Sequence, residues 1–278
     1  MNDCHHRNQT LARFLHEILP NSQILFQDDF FKPEVDIPID PTTNLANWDC
    51  PDALDLKGFA NVLREIKETG IIPETFVKKE DKNIMGKPVQ LQRPSLIDEL
   101  KRKVEDFLVL KHPQQQKQKQ HKEKFEDRSS ENNQVAINGN GHIDLEHCSH
   151  GTAQFTNWVF VIVDGFMLYW DQEVRMKLDV KFFVRASYET LKQRRESRSG
   201  YVTHEGYWID PPDYFDDVVW PNYLKFHQHL TSARQERGID ISDLVVFKNE
   251  YKSPIDQNIE RAINAILEYI DSKLTSQE

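Results

Sequence analysis

Residues 158–165 read WVFVIVDG. The apolar run from Trp158 to Val163 has no polar alternation, so a strand built from it is covered on both faces, as in a parallel sheet between helical layers. Asp164-Gly165 ends it. Downstream, Asp179 to Val184 and Leu244 to Phe247 read as further strands. Between them Ser187 opens a helix through Arg198, Tyr201 to Pro212 forms a long loop, and Tyr214 to Gln235 is helical with Pro221 near its middle. The last helix presents Ile255, Ile259, Ala262, Ile263, Ile266 and Ile270 as one buried stripe.

Upstream, Leu11, Phe14, Leu15, Ile18 and Leu19 follow helical spacing until Pro20-Asn21, and Ile24 to Phe26 reads as a short buried strand. Phe59, Val62, Leu63 and Ile66 mark a second helix closed by Gly70; Leu96, Leu100, Val104 and Phe107 mark a third, opened by Ser95. From His112 to about Ala153, Pro, Gln, Lys, Glu, Ser and Asn leave too few apolar groups to offset the entropy of ordering. The alternation of strands and helices predicts an α/β fold with a mainly parallel sheet. Residues 1–110 and 153–278 are then two parts of one domain, interrupted by a disordered polar insertion over 111–152.

The length of 278 residues suits one sizeable core plus that insertion. Acidic side chains outnumber basic ones, 45 to 35, for a formal net charge of -10, which argues against a general nucleic-acid-binding surface. Cys4, Cys50 and Cys148 are widely spaced and odd in number, which predicts no disulfide framework and a reducing compartment. His5 and His6 beside Cys4 lack an evident fourth ligand for a metal. No apolar stretch approaches a membrane span, so the expectation is a soluble protein of the cytoplasm, with the nucleus as the alternative.

Chemistry-bearing residues fall at strand ends. In Gln27 to Glu34, QDDFFKPE, Asp28 and Asp29 directly follow an apolar strand, in the crevice where open α/β sheets bind ligands. A carboxylate there can accept a substrate proton or anchor a magnesium ion; a solvated turn is the other reading. Trp48 offers a flat ring with a polar handle and Asp49 can accept two hydroxyl protons, a combination suited to a nucleoside, although a loop tryptophan packed on the core has the same pattern. Arg194 and Arg198 share a helix face with Arg195 beside them, either as guanidinium groups for a phosphate or as a solvated face.

Taken together, QDDFFKPE, the Asn47-Trp48-Asp49 segment, WVFVIVDG, the arginine cluster LKQRRESR and the string PPDYFDDVVWPNYLKF from Pro211 to Phe226 resemble the nicotinamide riboside kinases, a family of P-loop nucleoside kinases. The resemblance covers Thr10 to about Glu65 and Trp158 to Phe226. It implies a P-loop kinase-like parallel sheet flanked by helices and ATP-dependent phosphorylation of nicotinamide riboside, with nicotinic acid riboside as a second substrate, in NAD salvage. It further implies Asp28 as base and, with Asp164 on a Walker B-like strand, as magnesium partner. Asp29, Phe30, Phe31, Trp48, Asp49, Arg195 and Tyr201 would bind the nucleoside, Trp48 and Tyr201 as aromatic faces. Arg194 and Arg198 would meet ATP. At Val202 the chain departs from the glutamine usual in the family. Uridine or a pantothenate-like compound, handled by related folds, is a further substrate reading.

The string G-x-x-x-x-G-K-[ST], whose backbone and lysine cradle a triphosphate, does not occur in the sequence. Aligned without gaps, Arg7 takes a glycine position of that loop, Asn8 the lysine and Gln9 the hydroxyl. The reading is therefore of a chain without the first strand and Walker A loop, with Met1 to Gln9 as an alternative start or exon. Uncovered strand edges then predict instability in isolation. A catalytically inactive nucleoside-binding or regulatory protein is the competing function.

Overall fold

The computed structural model describes residues 7–74, 76, 91–111, 158–197, 200–202, 206–231, 243–250 and 254–276. The predicted insertion, Cys4, His5, His6, Cys148 and Arg198 lie outside the described residues. In chain order the main elements are α1 (Arg7–Ile18), β1 (Ser22–Phe26), α2 (Leu56–Thr69), α3 (Leu96–Leu110), β2 (Phe160–Asp164), α4 (Gln172–Lys177), β3 (Lys181–Arg185), α5 (Tyr188–Glu196), β4 (Tyr201–Val202), β5 (Tyr207–Trp208), α6 (Trp220–Thr231), β6 (Leu244–Lys248) and α7 (Ile255–Thr275).

Strand β1 pairs in parallel with β2, bringing Phe26 opposite Asp164, and β3 pairs in parallel with β6. Among the described residues no ladder joins the two pairs, so the expected mainly parallel sheet is present as two parallel halves. Side chains nevertheless unite them. Phe160, Ile162, Phe182, Val184, Val245 and Phe247 pack into one apolar layer with α1, α3 and α7. Leu25, Val161, Val163, Phe183 and Leu244 pack into the opposite layer with α2, Val174 of α4 and Leu230 of α6. This is the period-two division of a strand buried on both faces.

Helix α2 begins at Asp55, whose carboxylate accepts the Gly58 N–H at 2.9 Å, and ends at Gly70, which turns the chain with φ of 74°. That left-handed conformation carries no Cβ penalty in glycine and explains the stop. Two expectations changed. The loop from Tyr201 to Pro212 contains a short antiparallel hairpin pairing Tyr201 with Trp208 and Val202 with Tyr207. The helix around Pro221 begins with a wider π turn over Phe215–Val219, in which Trp220 N–H bonds to Phe215 O. A proline cannot donate to its i−4 carbonyl and its ring crowds that group, so the wider turn accommodates Pro221.

His227 of α6 sits in the interior, with Nε2 2.7 Å from the Phe166 carbonyl and Nδ1 3.1 Å from the Tyr223 carbonyl. Burial holds its pKa below the ordinary 6.5. The unfolded chain therefore binds this proton more readily than the folded one, and stability is lost as pH falls through about 6.5 towards the folded value. Comparing thermal midpoints at about pH 7.5 and about pH 5.5 should show a larger acid-induced drop in the native protein than in His227→Gln. Equal drops would remove His227 from the balance.

Candidate active site

The site is built at the carboxyl ends of β1 and β2. After Phe26 the chain tightens into a 3-10 turn, Gln27–Phe30, carrying both aspartates. Asp29 is buried and Asp28 half-buried. Gln27 pins this turn: it is fully buried and its Oε1 accepts the Met167 N–H at 2.8 Å. A Cβ on Gly165 would lie 2.5 Å from the Gln27 Cβ, so only glycine lets the loop after β2 pass this close. Asp28 and Asp164 thus rise from the ends of two hydrogen-bonded strands. Two carboxylates in that position suit magnesium, which takes one or two protein oxygens and completes its shell with water and phosphate. Among the described residues no group of three His, Cys, Asp or Glu side chains forms a metal cluster.

The adjacent doublet divides its work. Phe30 turns into the core, with its ring centroid 4.8 Å from that of Phe59 and 5.0 Å from that of Phe76. The expected substrate contact by Phe30 is not brought to the site. Phe31 faces the other way and meets Trp48 edge-on at 5.5 Å. Trp48 is 8% exposed and its indole N–H has no partner within the described structure. Its backbone N–H donates to the Tyr214 hydroxyl at 3.2 Å, and that hydroxyl donates to the Ala46 carbonyl at 2.8 Å. Burial pushes the Tyr214 phenol above its ordinary value, so it remains a protonated donor. Tyr214 therefore fixes the segment that presents Trp48.

Asp49 and Arg195, 146 positions apart, form a bidentate pair with N···O distances of 3.0 and 3.1 Å. The same guanidinium forks onto Asp210, with Nε 2.5 Å from Oδ2 and Nη2 3.1 Å from Oδ1. The pairing is well shielded: side-chain exposure is 14% for Arg195, 14% for Asp49 and 19% for Asp210. Arg195 also stands 5.7 Å from the centre of the Tyr214 ring.

What aims Arg195 is the anchoring of α5. Ser187 caps it, and the Glu250 carboxylate accepts the Ser187 N–H and hydroxyl at 2.9 Å each and the Thr190 hydroxyl at 2.7 Å. These bonds, that from Thr190 foremost, hold the Glu250 pKa below the usual range. Arg194 turns inward, 7% exposed, and donates to the Asn249 carbonyl at 2.7 Å. The structure thus separates Arg194, which ties the helix to the end of β6, from Arg195, which meets Asp49 and Asp210.

The aromatic found against Trp48 is Trp208, with ring centroids 5.7 Å apart. Trp208 also donates its indole N–H to Asp210 at 2.9 Å. Tyr201 lies across from Trp208 in the hairpin, but its side chain is outside the described structure. Neither Trp208 nor Asp210 was among the residues expected from sequence. Their spacing of two in an extended segment, which puts both on one face, was the available signal.

No protein-family model matches the chain. It is 29% identical over 258 residues to a nicotinamide riboside kinase of Schizosaccharomyces pombe, covering 93% of this chain and 90% of that protein. It is 28% identical over 262 residues to a nicotinamide riboside kinase of Saccharomyces cerevisiae, with the same two coverages. A nicotinamide riboside kinase of Eremothecium gossypii is 29% identical over 237 residues, 85% of this chain and 76% of that protein.

Proposed function

With the chain assigned to the nicotinamide riboside kinase family of phosphotransferases, we propose that it transfers the terminal phosphoryl group of ATP to the 5'-hydroxyl of nicotinamide riboside. The observation that carries this reading is the shielded Asp49–Arg195 pair beside Trp48. A carboxylate has about four lone-pair positions. Two face Arg195, and the rest can accept the vicinal hydroxyls of a ribose. Trp48 supplies an electron-rich face suited to a cationic pyridinium ring, with Phe31 and Trp208 as its neighbours. Tyr201 is the second aromatic face that the resemblance implies.

Asp28, on the turn that also carries Phe31, accepts the proton of the attacking hydroxyl, while Asp29 and Phe30 shape the turn from beneath. Asp28 and Asp164 are the residues that would hold magnesium, which when bound with ATP neutralises phosphate charge. Arg194 holds α5 in place and Arg198 meets the nucleotide. Nicotinic acid riboside is a second substrate of the same pocket. Residues 1–110 and 153–278 act as two parts of one kinase-like domain. Among the described residues no helix is long and apolar enough to cross a membrane, and we place the protein in the cytoplasm or nucleus.

The test is ATP-dependent formation of the mononucleotide from nicotinamide riboside by the whole chain, with calorimetry of each substrate alongside. Turnover supports the kinase. A second reading is an inactive nucleoside-binding or regulatory protein in which Trp48 and the Asp49–Arg195 pair hold the riboside alone. Riboside binding without ATP binding or turnover would select it.

A further inference from the structure

The guanidinium of Arg195 is held from two sides by carboxylates of the described residues, Asp49 of the nucleoside segment and Asp210 outside it. Asp49 lies in the loop beside Trp48; Asp210 lies just beyond β5, at the foot of the hairpin. Asp210 takes Nε and one Nη2 hydrogen of Arg195, and its Oδ1 also receives the indole N–H of Trp208. One side chain therefore fixes both the plane of the arginine fork and the ring packed against Trp48. A planar guanidinium held along its Nε edge has no rotational freedom left, so the edge offered to Asp49 is set by Asp210.

We propose that Asp210 is a positioning residue of the nucleoside site, acting through Arg195 on Asp49 and through Trp208 on Trp48. It joins hairpin and nucleoside loop in one charge-assisted unit, orienting the carboxylate lone pairs of Asp49 towards the ribose hydroxyls. The inference rests on the nucleoside-binding reading above and deepens it, because Asp210 itself touches no reacting atom. Among the described residues, two carboxylates share this one guanidinium, an excess of negative charge. That favours a riboside whose base is cationic over an otherwise similar neutral one.

Riboside affinity measured by calorimetry on the whole chain tests this, using Asp210→Asn, Asp49→Asn and the double variant. Asn keeps an acceptor for Trp208 but removes the charge that orients Arg195. Asp210→Asn is expected to weaken nicotinamide riboside binding on the order of tenfold. The double variant should bind about as weakly as Asp49→Asn alone, because one effect runs through the other. Multiplying losses, or unchanged affinity in Asp210→Asn, would overturn the assignment.

Trp208→Phe provides an independent arm, keeping a ring beside Trp48 while removing the N–H. It should weaken binding less than Asp210→Asn, and a larger loss would show that Asp210 serves the ring and not the arginine. Thermal melts accompany each variant. If the native protein binds no riboside, the nucleoside reading fails and this inference with it. If it binds and the variants do not separate as stated, only the role of Asp210 fails.

Discussion

Arg195→Ala is expected to damage the protein twice. The native guanidinium is shared by Asp49 and Asp210 in a setting where all three side chains are less than one-fifth exposed. Alanine leaves two carboxylates facing each other without their shared donor. Breaking a buried ion pair from one side costs about 3–5 kcal/mol, because the remaining charge keeps its desolvation penalty. For a chain of this size that lowers the thermal midpoint by on the order of 10 °C. Riboside binding should fall with it, as Asp49 loses the fork that orients it. Arg195→Lys separates the effects: charge returns, the bidentate geometry does not, and stability should recover further than affinity. A melt of Arg195→Ala matching the native one would refute the shielded double fork.

Asp28→Ala carries the largest expected loss of activity. Removing a positioned general base typically lowers the rate about 10²–10⁴-fold. Asp28 is half-buried in a turn held by Gln27, so its neighbourhood should survive truncation and the melt should change little. Single-turnover formation of the mononucleotide is the measurement, with riboside affinity as a control. Equal rates in the two proteins would dismiss Asp28 as the base. A riboside affinity that falls as far as the rate would instead make Asp28 a binding residue.

Local patterning was sufficient for the longer helices and the parallel strands. The apolar run at Trp158 to Val163 became β2 at Phe160–Asp164, and Gly70 ended α2 in the left-handed conformation its position suggested. The hairpin of β4 and β5 escaped notice because two residues per strand are too few to display alternation. Phe30 and Phe31 illustrate a different limit. Both were assigned to substrate from the resemblance, yet neighbouring side chains here point apart and only Phe31 reaches Trp48.

The site itself was legible as parts and not as contacts. Asp49 and Arg195 were each expected to meet the substrate, but nothing in spacing announces a bond across 146 positions. Asp210 and Trp208 carried a faint period-two signal inside what read as loop. Tyr214 stood at the start of a segment read as helix, and its hydroxyl turns out to bridge Ala46 and Trp48. Such side-chain bonds depend on how loops return to one another, which sequence periodicity does not encode.

The parting of the parallel strands into two pairs also bears on how the cleft can adjust. Asp28 and Asp164 ride on one pair, whereas Arg195 rides on the helix that follows the first strand of the other. Within each pair, directional backbone bonds resist slippage. Among the described residues no backbone ladder joins the pairs, which instead share the apolar layers packed on their two faces. The separation of Asp28 from Arg195 is then set by how those layers seat against each pair, a matter of side-chain volume and not of strand register.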